Sequence, residues 1–368
     1  MERDELAAYL ALAQIPGIGV ARLRTLLSAF QSAAAALHAP HGAIAALPGF
    51  SRAAATAIRA ATARAGLEVL EQLDRHAATV LLPDDPTFPP LLAEIPDPPA
   101  LLYACGNVSL LAGPAVGIVG SRDHSAYGAE AARLLAAGLA RAGVVVVSGM
   151  ARGIDAVAHA AALDAGGQSV GILANGFGVI YPAVNRELYE RMATTGCLVS
   201  ELPPGERPHA GAFPRRNRLI SGLAGVTVVV EAALSSGALI TADCALDQGR
   251  TVLAVPGPIT SPTSQGCNKL IQQGAKPALT PGDVLEELGL PRAVADRPAE
   301  ASPRPRTAPT DLTALQQTLW ETLRAEPRHV DALVATAGAE TAAVLTALTE
   351  LEMRGVVRQQ PGMVFGLT

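Results

Sequence analysis

Val144-Val145-Val146-Val147-Ser148-Gly149 is the stretch on which the fold turns. Four consecutive β-branched residues, not alternating with polar ones, fit a strand covered on both faces, and the Ser-Gly after them closes it. Five further runs share this form: Val116-Gly117-Ile118-Val119, Val170-Gly171-Ile172-Leu173, Cys197-Leu198-Val199, Val226 to Val230, and Val252-Leu253-Ala254-Val255. Helical patterns fill the gaps, for example Ala129 to Arg141 and Ile240 to Gln248. Strand-helix-strand repeated this often predicts an α/β fold, a doubly wound and mainly parallel sheet over residues 113–290.

Working outward, residues 79–112 hold Leu82-Pro83-Asp84-Asp85-Pro86 and Asp97-Pro98-Pro99-Ala100. Prolines at this density argue against central strands and long helices, so an extended strap is expected. Residues 1–78 read as helical. Pro16-Gly17-Ile18-Gly19 separates two amphipathic stretches, and Leu47-Pro48-Gly49-Phe50 echoes it. Helix, Pro-Gly-x-Gly turn, helix is the helix-hairpin-helix (SAM-like) pattern, whose turn amides can hold a phosphate. With only Arg22, Arg24 and Arg52 near the turns, a helical cap without nucleic-acid contacts is the better reading.

Residues 291–310 carry five prolines and four arginines, which predicts a flexible linker. Residues 311–368 follow a winged-helix order of three helices and two strands. The third helix, within Glu340 to Met353, has three Glu and no Arg or Lys before Arg354. A helix that reads a DNA groove needs donors and cations, so a protein-contact or structural role is expected.

The 368 residues are 49% apolar, enough for a large core. No apolar run is long enough to span a membrane, and the charged start Met-Glu-Arg-Asp-Glu does not resemble a signal peptide, so a cytoplasmic protein is expected. Cys105, Cys197, Cys244 and Cys267 lie far apart, with no CxxC pair. Neither a metal site nor a disulfide framework is expected. The net charge of −5 argues against general nucleic-acid binding unless positive charge is concentrated locally.

In an open parallel sheet, ligands bind beyond the carboxyl ends of the strands. Here those ends read Gly120-Ser121-Arg122, Ser148-Gly149, Asn175-Gly176, Ser200-Glu201, Glu231 with Ser235-Ser236-Gly237, and Pro256-Gly257. Glycine lets a ligand approach backbone, and the following helix N-termini offer free amides, so an anion site is expected there. GxGxxG spacing and GxxxxGK[ST] are both missing, which argues against a dinucleotide coenzyme or a P-loop; no cofactor is expected. Asp155 reads as a helix N-cap and His159 as a helix-face residue. Glu201 and Glu231 lack a nucleophile or metal set around them.

Between Glu206 and Glu231 there is no acidic residue, while Arg207, Arg215, Arg216 and Arg218 all occur. Arginine forks suit phosphates, and Phe213 beside them offers a stacking face. Arg122 and Arg152 are expected on the same side, with Asn185 and Arg186 after the third strand. Cations, amides and aromatic faces along one edge suggest a track for a single-stranded polynucleotide more than a mononucleotide pocket.

Val119-Gly120-Ser121-Arg122 with Tyr127-Gly128, Val147 to Asp155 with His159, Tyr181-Pro182 with Asn185, Ser200 to Gly205, Phe213 to Arg218, Ser236-Gly237 with Thr241-Ala242, and Ala254 to Gly257 with Gly266 and Asn268 together resemble the DNA-processing protein A (DprA/Smf) family. The resemblance spans about residues 113–278. It implies an extended Rossmann-like domain and no enzyme activity. Such proteins bind and protect incoming single-stranded DNA in natural transformation, load the RecA recombinase onto it, and act as homodimers through that domain. The family's basic strand-end loops map onto Arg122 and the Arg215 to Arg218 run. Gly178 stands where members often have Asp, leaving Phe177 as a candidate stacking face. The full expected DNA-binding set is Gly120, Ser121, Arg122, Gly149, Arg152, Phe177, Asn185, Arg186, Phe213, Arg215, Arg216, Asn217, Arg218, Ser236 and Gly237. The alternative is a nucleotide phosphoribohydrolase on the same Rossmann variant, but Ser235 to Thr241 lacks the glutamate of the PGGxGTxxE signature.

Overall fold

The computed structural model describes residues 1–291, 312–324, 327–360 and 362–367. Apart from Pro291, the expected linker lies outside these residues. The chain forms two compact units, Met1–Pro298 and Ala299–Thr368.

In the first unit nine strands form one sheet: β1 (Ala78–Leu81), β2 (Leu102–Gly106), β3 (Ala115–Val119), β4 (Val145–Ser148), β5 (Ser169–Ile172), β6 (Cys197–Ser200), β7 (Val226–Val229), β8 (Thr251–Ala254) and β9 (Lys276–Pro277). Their order is β1-β2-β6-β5-β4-β3-β7-β8-β9. All neighbours from β6 to β9 run parallel, and β1-β2-β6 is antiparallel. The six anticipated runs are β3 to β8. Val144 and Val146 point to a layer of three helices, Ala126–Arg141, Ile154–Asp164 and Pro281–Glu287. Val145 and Val147 point to the opposite layer, made by the helices Ala212–Leu223, Gly237–Asp247 and Gln265–Gln272. A two-sided core explains why these strands show no apolar-polar alternation.

The proline-rich connector departs from the expected strap. It supplies β2, which lies between β1 and β6 rather than at the sheet edge. The prolines flank the strand instead of entering it, so no ladder donor is lost. Six helices precede β1: Arg3–Ala13, Val20–Phe30, Ala33–His38, His41–Ala45, Arg52–Ala60 and Ala63–Arg75. Their buried Leu10, Leu23, Leu26 and Ile58 share one core with Tyr103, Leu173 and Leu198 of the sheet region. Gly17 and Gly49 take the left-handed backbone that their turns require, at φ 83° and 81°.

The second unit is a winged helix. The helices Ala314–Leu323, Val330–Ala337 and Thr341–Met353 pack through Leu319, Leu333, Val344 and Leu348 against Phe365 of a small sheet. Besides the two expected strands, β11 (Val357–Gln360) and β12 (Val364–Leu367), the sheet holds β10 (Arg328–His329), in the order β10-β12-β11. Among the described residues no single helix is long and apolar enough to cross a membrane.

Candidate nucleic-acid interface

The strand order reverses at β3: β4, β5 and β6 follow on one side, then β7 returns to the other. Loops leaving β3 and β7 diverge, and a crevice opens between them at the switch point. It is a cleft of about 390 Å³, lined by Ser121 and Arg122 after β3, by Ser236 and Gly237 after β7, and by Phe213, Arg216 and Asn217 of the helix Ala212–Leu223. Glu231, 3% exposed, shapes the first loop: its carbonyl accepts from Ser121 N at 2.7 Å and its carboxylate from Ser125 N at 2.9 Å. The Ser236 hydroxyl caps the helix Gly237–Asp247 by accepting from Ala238 N at 3.3 Å.

On the outer wall the Arg122 guanidinium lies 5.2 Å from the centroid of Phe213. Phe213 in turn meets Tyr181 with centroids 5.9 Å apart, tilted by 52°. A smaller cavity of about 60 Å³ adjoins these rings, lined also by Arg152. Half-exposed aromatic faces flanked by guanidinium groups suit stacked bases and the phosphates between them. Tyr181, 43% exposed, belongs to this set although sequence reasoning did not select it as a contact. Its place two residues after the fully apolar Val179-Ile180 gave no signal; only the fold brings it to Phe213.

The arginines divide by exposure. Arg122, Arg152, Arg186 and Arg215 are exposed. Arg152 pairs with Asp123 at 2.7 Å, and Arg215 lies 3.6 Å from Glu201. Arg218 is not available as a phosphate contact: it meets both Glu201 oxygens at 2.7 and 2.9 Å and Asp97 at 3.1 Å, with its side chain 12% exposed. Arg216 is 7% exposed and donates to the Ile172 carbonyl at 2.8 Å and to the Gly149 carbonyl. It forms the cleft floor rather than an outward cation. The cause is helix geometry. At about 100° per residue, positions 215, 216 and 218 cannot share one face.

Three other expectations are corrected. Phe177, 6% exposed, packs in the core shared by the helices and the sheet, so it offers no stacking face. Asn185, 8% exposed, donates to the Met150 and Ala151 carbonyls at 2.9 and 3.1 Å and so fixes a loop. Gly120 and Gly149 are small because protein fills their space: an added Cβ would meet Ile154 at 2.7 Å and the Arg216 guanidinium at 1.8 Å. Gly237 alone of these three has nothing within 4 Å.

Asp155 and His159 are both buried, Asp155 under the cleft floor. Asp155 is not the N-cap, which is Gly153; its carboxylate accepts from Gly149 N at 3.1 Å and Ala151 N at 3.4 Å. Burial raises its pKa, against the opposing pull of Arg216 and these amides, and burial lowers that of Arg216. Two opposite charges inside the protein thus compensate each other. The Ser169 hydroxyl donates to the Val146 carbonyl at 2.7 Å, so His159 Nδ1 carries the hydrogen it shares with Ser169 Oγ at 2.7 Å. Burial pushes the His159 pKa down to about 3. Glu201 is held by two arginines and Glu231 by a loop amide, which leaves neither placed as a general base. Among the described residues no cluster of His, Cys, Asp or Glu could hold a metal ion.

Asp123→Asn is expected to tighten single-stranded DNA binding by about two- to fivefold, because it releases an exposed pair and leaves Arg152 free for phosphate. Fluorescence anisotropy with a labelled oligothymidine measures this. Unchanged or weaker binding would remove Arg152 from the interface.

Comparison with known proteins adds the following. The family model of the DNA recombination-mediator protein A matches residues 79–289, and that of the DprA winged helix domain matches residues 302–363. A curated relative, Protein Smf of Synechocystis sp., is 33% identical over 395 residues, covering 99% of this chain and 99% of its own. The DNA processing protein DprA of Bacillus subtilis is 47% identical over 202 residues, 55% of this chain and 68% of that one. Among solved structures, DprA from Streptococcus pneumoniae superposes with a TM-score of 0.65 at 33% identity, covering 78% of this chain and 98% of the other. DprA from Helicobacter pylori, whose structure is described as showing its single-stranded DNA binding mode, gives a TM-score of 0.53 at 29% identity, covering 57% and 95%.

Proposed function

This chain belongs to the DNA recombination-mediator protein A family, and on that footing we propose that it is a single-stranded DNA-binding protein of natural transformation and recombination. It grips an unpaired strand along the rim of the central sheet, shields it from nucleases and hands it to the RecA recombinase. It works in the cytoplasm as a homodimer joined through the Rossmann-like domain, and catalyses no reaction. The winged helix, with no basic residue on its third helix, serves protein contacts.

One observation carries this reading: Arg122 stacked on Phe213, with Tyr181 against the same ring, beside a cleft whose edge ends in the amides of a helix N-terminus. Stacking recognises any base through its π-face, and guanidinium groups neutralise phosphate, so binding follows the strand and not its sequence. Duplex DNA hides its base faces and cannot use the aromatic pair.

Oligothymidine is therefore expected to bind more tightly than duplex of equal length. Contact with three or four phosphates gives a slope of log affinity against log salt of roughly −2 to −3, at about 0.7 per phosphate. Titration at several salt concentrations tests both points. Equal or tighter duplex binding, or affinity indifferent to salt, would overturn the proposal.

A further inference from the structure

We propose that the switch-point cleft is a single-nucleotide site, which accepts a free nucleoside 5′-monophosphate as well as one nucleotide of a bound strand. This rests on reading the rim as the strand-binding surface and adds a competing ligand to it.

A strand followed along a rim needs a shallow groove and stacking faces. The cleft is a different device. Its volume of about 390 Å³ is that of a small-molecule pocket. It sits where the strand order reverses, the place at which open α/β sheets hold their ligands.

Its polar end is built for an anion. Arg216 lines the cleft, is 7% exposed, and keeps Nε without a hydrogen-bond partner among the described residues. A buried donor in that state is costly until something accepts from it. The eleven-residue helix Gly237–Asp247 begins at the same cleft, and nothing lies within 4 Å above Gly237. A phosphate there meets the guanidinium, the helix N-terminal amides and the positive end of the helix dipole together. Asp155 also lines the cleft, but its carboxylate is turned to account inside the protein by the Gly149 and Ala151 amides.

The other end is built for a base. Ile240 and the Phe213 ring contribute apolar wall, and Arg122 covers Phe213 from outside. Charge at one end and an aromatic face at the other match a nucleoside monophosphate. Neither inorganic phosphate nor a bare nucleoside uses both ends.

The test is competition on the intact protein. Labelled oligothymidine is displaced by dTMP, by thymidine or by inorganic phosphate, with thermal shift run in parallel. dTMP is expected to displace the strand and raise Tm, with thymidine and phosphate each at least about tenfold weaker. Gly237→Glu places a carboxylate in the open space at the helix start, where an acid suits the dipole. It should weaken dTMP by about tenfold or more without lowering the Tm of the free protein. If oligothymidine binds but dTMP at about 10 mM neither displaces it nor raises Tm, the nucleotide site is wrong and strand binding stands. Phosphate as potent as dTMP, or dTMP binding unchanged in Gly237→Glu, also overturns it. If dTMP raises Tm while oligothymidine does not bind, the nucleotide site stands and the strand reading falls.

Discussion

Arg216→Ala lowers the stability of the first unit by about 3–5 kcal/mol, measured as a shift in the urea midpoint at constant slope. Removing the guanidinium leaves the carbonyls of Gly149 and Ile172 without this donor. It also leaves Asp155 buried with no nearby positive charge to offset its own. The cost of an uncompensated interior charge exceeds that of a lost hydrogen bond, and the cavity left under β4 and β5 adds to it. Arg215→Ala is the control. Its side chain is 61% exposed, so the stability change stays within about half a kcal/mol. A normally stable Arg216→Ala protein that merely binds DNA less well would show that this residue is an exterior contact.

The second large effect is on binding. The double variant Arg122→Ala/Phe213→Ala loses about 2–4 kcal/mol of single-stranded DNA affinity, roughly 30- to 1,000-fold. Stacking on an aromatic ring contributes about 1–3 kcal/mol per base, and one arginine-phosphate contact is of similar size. Because the two side chains touch, the single variants will not sum to the double. Filter binding at fixed salt measures all three. The salt slope should fall in Arg122→Ala and hold in Phe213→Ala, since only the arginine displaces a counterion. A double variant that binds like the parent would place the strand elsewhere.

The sheet was legible because β3 to β8 are covered on both faces, and Val144 to Val147 can hardly be anything else. β1 and β2 were not, since Ala78–Leu81 and Leu102–Gly106 are short and hemmed by prolines whose influence stops at the strand ends. The winged helix followed from its three amphipathic stretches; β10, two residues long, carries no periodicity to read. At the site, the crevice and the place of Arg122, Phe213, Ser236 and Gly237 on it followed from strand-end position. The roles of Arg216, Arg218 and Phe177 did not. A cluster of arginines in sequence was read as one charged patch, whereas a helix distributes neighbours around its axis. That correction needed only the helical period, had Ala212–Leu223 been recognised as a helix. The burial of Phe177 had no comparable local signal, because it depends on helices more than a hundred positions earlier in the chain.

The return of β7 to the side of β3 has a consequence for when the molecule becomes competent. The two lips of the crevice, around Ser121 and around Gly237, are joined only after three βα units have been laid down between them. A chain emerging from the ribosome therefore has its first lip long before its second, and non-local pairing of this kind is slow to form. The grip on nucleic acid arrives late in synthesis, as a property of the completed sheet and of no shorter piece.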